Sequence, residues 1–338
     1  MCSASSELPL WVNRPGQAEP ALPIEAVLGT ILHADQSAVC QGGTLGDFHY
    51  GGQAVIEGVM MRGRKSMAVA VRDPSGEIVL HSEPLKGGFY DSVWRRIPFV
   101  RGLLILADTL ILGTRTLMYS ANVALSEEEV EFSTPMIVAT VVLSLGFGIG
   151  LFFVVPLLLV GFLDRYVASD VVSSLLEGLI RLSILLLYLG LIGLMPDIKR
   201  VFAYHGAEHK TIHAFEDGAP LKAKEVATHG TAHARCGTSF LLVVVLLSVV
   251  VFASLGRPPM LLRIISRVLL VPVIAGISYE FIRFAADHSD NALVKLLLMP
   301  GMALQRLTTR EPDEPMLEVA IAALKPVLVA DEALDGEE

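Results

Sequence analysis

Between Tyr204 and Glu216 the chain reads YHGAEHKTIHAFE, which sets His205, His209 and His213 four residues apart with Glu208 beside the second. Residues four apart stack on one face of a helix, so His205 and His209 can grip a single ion through their ring nitrogens. The pattern His205-x-x-Glu208-His209 has the inverted zincin spacing, in which two histidines bind Zn2+ and the glutamate serves as a base toward water. A second string, HGTAHARCG, adds His229 and His233, again four apart, and Cys236 three residues further on. Zinc takes three or four such ligands, and a catalytic zinc keeps one position open. Arg235 suits an anionic group, such as a phosphate or a developing oxyanion. The cofactor these residues imply is a divalent metal of the Zn2+ type. Its candidate ligands are His205, His209, His229, His233 and Cys236, with Glu208 and Arg235 as the catalytic candidates. His213 stays outside the set, one turn beyond an already complete pair. The competing reading is structural: histidine-rich loops bind metals adventitiously or rest at the headgroup level, and Cys236 can be a small buried residue.

These residues must be positioned by an unusually apolar chain. It has 338 residues, a mean hydropathy of +0.58, 53% hydrophobic residues and only 18% charged ones, which points to a multi-pass membrane protein. A net charge of -9 with no concentrated basic patch argues against nucleic acid as a partner. Cys2, Cys40 and Cys236 lie too far apart in sequence to make a disulfide framework. The opening MCSASSELPLWVNRPG lacks a basic start followed by an apolar core, so no cleaved signal peptide is expected.

Four stretches read as spans: 136–163, 172–196, 239–256 and 262–286. Before them, residues 97–118 are helical in pattern, but Arg101, Asp108 and Arg115 recur every seventh residue along one face. That stripe predicts an amphipathic helix at the interface or packed against the bundle, with a fifth span as the alternative. Lys and Arg concentrate in the segment 50–135 and the loop 197–237, placing the histidine loop and both termini in the cytoplasm. Residues 1–45 read as a disordered extension with one short helix near Ile24–His33, and 46–90 as a small β module turning at Asp73–Gly76. Residues 91–135 hold the amphipathic helix and an acidic connector, SEEEVEF; 136–286 form the membrane bundle; 287–338 make a cytoplasmic helical tail. Two further carboxylates are site candidates: Glu57, in the glycine-rich YGGQAVIEGVMMRG, and Glu280, on the histidine side of the fourth span. Glu177 and Arg181 read as a structural i,i+4 ion pair.

The strings YGGQAVIEGVMMRG, IPFVRG, KRVFAYHGAEHKTIHAFE, RCGTSF, YEFIRF and PGMALQRLTTREPDEPMLEVAIAAL occur in this order from about Tyr50 to Leu324. Together they resemble the bacterial membrane family known as domain of unknown function 1385, labelled a predicted metal-dependent enzyme. By position the resemblance covers His205, Glu208, His209, His229, His233, Arg235 and Cys236, and also Glu57 and Arg62; His213 departs from it. The expected fold is mainly α: a multi-pass helical membrane protein of about four spans, with a small N-terminal β module and a cytoplasmic His-rich loop. The expected function is metal-dependent hydrolysis at the cytoplasmic face of the bacterial inner membrane. The implied partners are the lipid bilayer and an amphiphilic or membrane-proximal substrate. The alternative is a non-catalytic scaffold, assembly factor or transporter with a structural histidine loop.

Overall fold

The computed structural model describes residues 50–64, 66–85, 97–125, 134–233, 236–288 and 291–335. The expected N-terminal extension with its short helix, the acidic connector and Arg235 lie outside them.

Four strands, β1 (Gly51–Val55), β2 (Gly58–Arg62), β3 (Ser66–Arg72) and β4 (Ile78–Pro84), form an antiparallel meander in sequence order. The Asp73–Gly76 turn closes through Gly76 N–H donating to Asp73 O, with Gly76 at φ 91°. The run MAVAV in β3 is apolar at every position because both faces of the sheet are covered. Val59, Met61, Ala68 and Ala70 pack on one side, against Ala207 of α5 (Pro196–Glu216) and Leu317 and Leu324 of α10 (Glu314–Asp335). Met60, Met67, Val69 and Val71 pack on the other, against Leu112 of α1 (Val100–Ala124).

The remaining helices make the apolar bundle. α2 (Thr134–Ile149) passes through a π-helical turn, Gly150–Val154, into α3 (Val155–Leu163); α4 is Asp170–Ile192. A short α6 (Ala223–Val226) precedes α7 (Gly237–Ser254), α8 (Met260–Asp287) and α9 (Ala292–Thr308). Among the described residues five helices are long and apolar enough to cross a membrane: Val100–Ala124, Pro135–Tyr166, Asp170–Ile192, Gly237–Ser254 and Met260–Ala285. The last four match the expected spans, and the whole marks a membrane protein, mainly helical, with a small N-terminal sheet.

α1 meets that length and composition too, yet its polar stripe is internally partnered. Arg101 grips Glu280 of α8, and Asp108 accepts from Arg62 of β2 at 2.8 Å. α1 thus ties the bundle to the sheet. The C-terminal α10 is a core element: Leu317, Ala320, Leu324 and Val327 are wholly buried between the sheet and α5.

Candidate metal centre

α5 begins at Pro196, a residue preorganised for the first turn of a helix, and runs without interruption to Glu216. The expected loop is therefore mostly helix, and His205, Glu208 and His209 share one face as their spacing requires. Residues Gly206–Ile212 are buried all round, because β1, the α9–α10 junction and the 222–233 segment surround this turn.

His205 Nδ1 lies 2.9 Å from Thr308 O at the end of α9, and His209 Nδ1 lies 2.6 Å from Thr231 O. A carbonyl oxygen has no proton to give, so each Nδ1 carries the hydrogen and donates it. In the neutral ring that leaves the Nε2 lone pair free, the arrangement that metal-ligating histidines use. Cys236, the residue capping α7, brings Sγ to 3.3 Å from His205 Nε2, held there by the Thr238 N–H. One donor atom from each of His205, His209 and Cys236 lies within 4.8 Å of the others. A tetrahedral zinc ion spaces neighbouring N and S ligands by about 3.3–3.8 Å, so this trio fits such an ion with small adjustments.

Glu208 completes the cluster. Its Oε2 lies 3.6 Å from His209 Nε2 and 4.0 Å from His205 Nε2, while Oε1 accepts the Gly52 N–H at 2.9 Å. A Cβ at residue 52 would meet Met60 O at 2.3 Å and Glu208 Cγ at 3.1 Å, so only glycine lets β1 approach this carboxylate. The sheet thereby fixes Glu208, a role that sequence reasoning missed; its only trace was the paired Gly51-Gly52. Thr308 and Thr231, which act through their carbonyls, left no signal at all.

The other candidates are placed elsewhere. His229 Nδ1 donates to Glu225 O at 3.1 Å, and its Nε2 faces Asp217 at 3.5 Å, away from the trio. His233 is buried at the cluster's edge, its ring 5.7 Å from that of His209, and its Nε2 meets Glu216 at 3.2 Å. His213, excluded on sequence, has its ring 4.7 Å from that of His233, tilted by 40°, and donates to Gly230 O. Burial, followed by the neighbouring His233 and His209, pushes the His213 imidazole down to about 4; burial also lowers His233, with Glu208 opposing. Glu57, at φ 51° in the β1–β2 turn, is clamped by Arg200 and lies 3.4 Å from Tyr204 Oη. Glu280 does not reach the histidines as its place in the fourth span had suggested: its carboxylate is taken by Arg101 and by the Phe99 N–H.

A family profile described as "Protein of unknown function (DUF1385)" matches residues 97–330. The chain is also 35% identical over 292 residues to "Uncharacterized protein YqhQ" of Bacillus subtilis (strain 168), covering 82% of this chain and 92% of the relative. No solved structure matches. A profile spanning most of the chain and a relative of this identity and coverage together set its membership: the protein belongs to the DUF1385 family.

Proposed function

We propose that the protein is an integral membrane, metal-dependent hydrolase whose site lies where the bundle meets the sheet module. The observation that carries this reading is the convergence of two Nε2 lone pairs and one thiol sulfur, with both Nδ1 atoms already committed to backbone carbonyls. His205, His209 and Cys236 hold a divalent ion of the Zn2+ class, which when bound supplies a Lewis acid for polarising a carbonyl or phosphoryl oxygen. Glu208, steadied by Gly52, takes the proton from the attacking water. His233 lines the site, and Arg235, beside Cys236 in sequence, stabilises the developing negative charge.

Membrane side and substrate class belong to the same proposal. Arg257, Arg263 and Arg267, around the turn between the last two spans, pair with Asp170, Asp164 and Glu177 respectively. The Lys and Arg residues of 50–135 and 197–237 outnumber those three, and that bias favours a cytoplasmic site, at the inner membrane of a bacterium. A site at a membrane edge suits an amphiphile or a membrane-proximal peptide.

Purified protein should carry about one equivalent of metal, as expected for a single site of this ligand set. The His205→Ala/His209→Ala double variant should carry none, and a metal analysis finding it stoichiometrically loaded would sink the reading. Glu208→Gln should keep the metal and lose function in complementation. The second reading, a transporter or scaffold, is favoured by one observation: Glu177, Arg181 and Arg267 face one another inside the bundle.

A further inference from the structure

α9 is an unusual helix for the place it occupies. It has 17 residues, about 26 Å of rise, short of the roughly 30 Å hydrocarbon core, and Pro300 lies inside it. Its first twelve residues, ALVKLLLMPGMA, carry a single charge, Lys295. Both its ends meet elements on the metal-centre side of the bundle: Val294 and Leu298 cluster with Ala285 near the end of α8, and Thr308 reaches His205. A helix entering and leaving on one side does not cross.

Its burial separates two faces. Val294, Leu298, Gly301, Leu304, Gln305 and Thr308 are buried, with Gly301 seated on Ser239 of α7. On the outer face Leu293, Leu296, Leu297 and Met299 are 71%, 61%, 62% and 61% exposed. A polar outer face would mark a solvated helix; one that is apolar but for Lys295, whose long side chain can reach the headgroups, marks a surface covered by something equally apolar. On the two spans that α9 packs with, Leu241 of α7 and Leu191 of α4 are exposed apolar residues as well.

We propose that α9 is sunk into the acyl chains of the leaflet on the metal-centre side, and that this insertion holds the centre closed. The link is its last turn. Thr308 O orients the His205 ring. Gln305 accepts the His233 N–H and donates to both His233 O and Ser239 Oγ, clamping the backbone on either side of Cys236. The bilayer is thus a partner that sets the geometry of the ligands, and the apolar face of α9 leads an amphiphile's chain to them. The insertion stands on α9 alone; only its consequence for metal binding rests on the function proposed above.

The test uses full-length protein in vesicles of phosphatidylcholine brominated at mid-chain, in a Trp11→Phe/Trp94→Phe background. Leu297→Trp should lose most of its fluorescence to the bromines, and Lys325→Trp, on the exposed face of α10, should lose little. Equal emission from both in brominated and ordinary lipid overturns the insertion. The coupling is read without metal, as the alkylation rate of buried Cys236 by a maleimide in a Cys2→Ser/Cys40→Ser background. Leu296→Glu/Leu297→Glu should alkylate several-fold faster than its parent; an unchanged rate overturns the coupling. Absence of metal from the wild-type protein would overturn the metal centre alone, since the quenching needs no ion and the alkylation is read with none bound.

Discussion

Two of the polar concentrations buried among the described residues are built on opposite rules. In the bundle, Arg181 donates Nε to Phe152 O at 2.7 Å, Nη1 to Ser248 at 2.5 Å and Nη2 to Glu177 at 2.7 Å. Arg267 takes both oxygens of the same carboxylate, and its guanidinium lies 4.2 Å from the Phe252 ring. The π-helical turn at Gly150–Val154 supplies the Phe152 carbonyl from inside a helix, where such a group is normally spent on its own ladder. Every atom of Glu177 and Arg181 that can bond has a partner. At the candidate metal centre the Nδ1 atoms are spent but the Nε2 atoms and the thiol point at one another, three electron-pair donors facing a common space. A network that consumes its own hydrogen bonds braces a fold; a cluster of aligned acceptors is prepared for a cation.

The largest effect that would sharpen this contrast is on stability. Glu177→Ala leaves two guanidinium groups buried, and breaking such a pair typically costs about 3–5 kcal/mol. Denaturation in detergent should show that loss in full. If Glu177→Ala instead folds normally and abolishes function, the network is a site and the contrast fails. Next in size is the metal itself. Zinc at about a hundredfold over its Kd should stabilise the wild-type protein by about 2.7 kcal/mol through preferential binding to the folded state. The His205→Ala/His209→Ala variant should gain nothing from zinc, whereas Ser248→Ala should gain as much as wild type. Ser248→Ala removes one partner of Arg181 and should cost about 1–3 kcal/mol, visible in the midpoint of the same unfolding curve.

What the sequence revealed of these regions follows from how local the physics is. His205, Glu208 and His209 were legible because i, i+3 and i+4 geometry needs only a helix, and α5 is one. The same rule failed for His229 and His233, since the segment after α6 is irregular and four-residue spacing there stacks nothing. The spans were legible from hydropathy averaged over a window. That same averaging hid the bundle's network: Arg267 falls inside the stretch 262–286, and it is almost wholly buried against α4. The Glu177–Arg181 pair was visible at i,i+4, but its third and fourth partners come from helices far along the chain. Likewise the periodicity of α10 announced a helix and could not say that its apolar stripe closes over the sheet.

Glu57 gives the smallest effect and tests where the candidate metal centre ends. Its φ of 51° is a left-handed conformation, which costs a side-chain-bearing residue about 1–2 kcal/mol and glycine nothing comparable. Against that strain stands the ion pair with half-exposed Arg200, worth about 0.2–1 kcal/mol at such a site. The carboxylate holds the Arg200 guanidinium protonated well above its ordinary range, and burial, with Glu57 beside it, pushes the Tyr204 hydroxyl up as well. Glu57→Gly exchanges one small term for another of opposite sign, so the unfolding midpoint should barely move. Zinc affinity should also hold, because the β1–β2 hairpin meets the Glu208 carboxylate through the Gly52 amide, at the far end of β1 from Glu57. A tenfold weaker zinc affinity, the size expected when a group supporting a metal ligand is lost, would extend the centre along β1 to this turn.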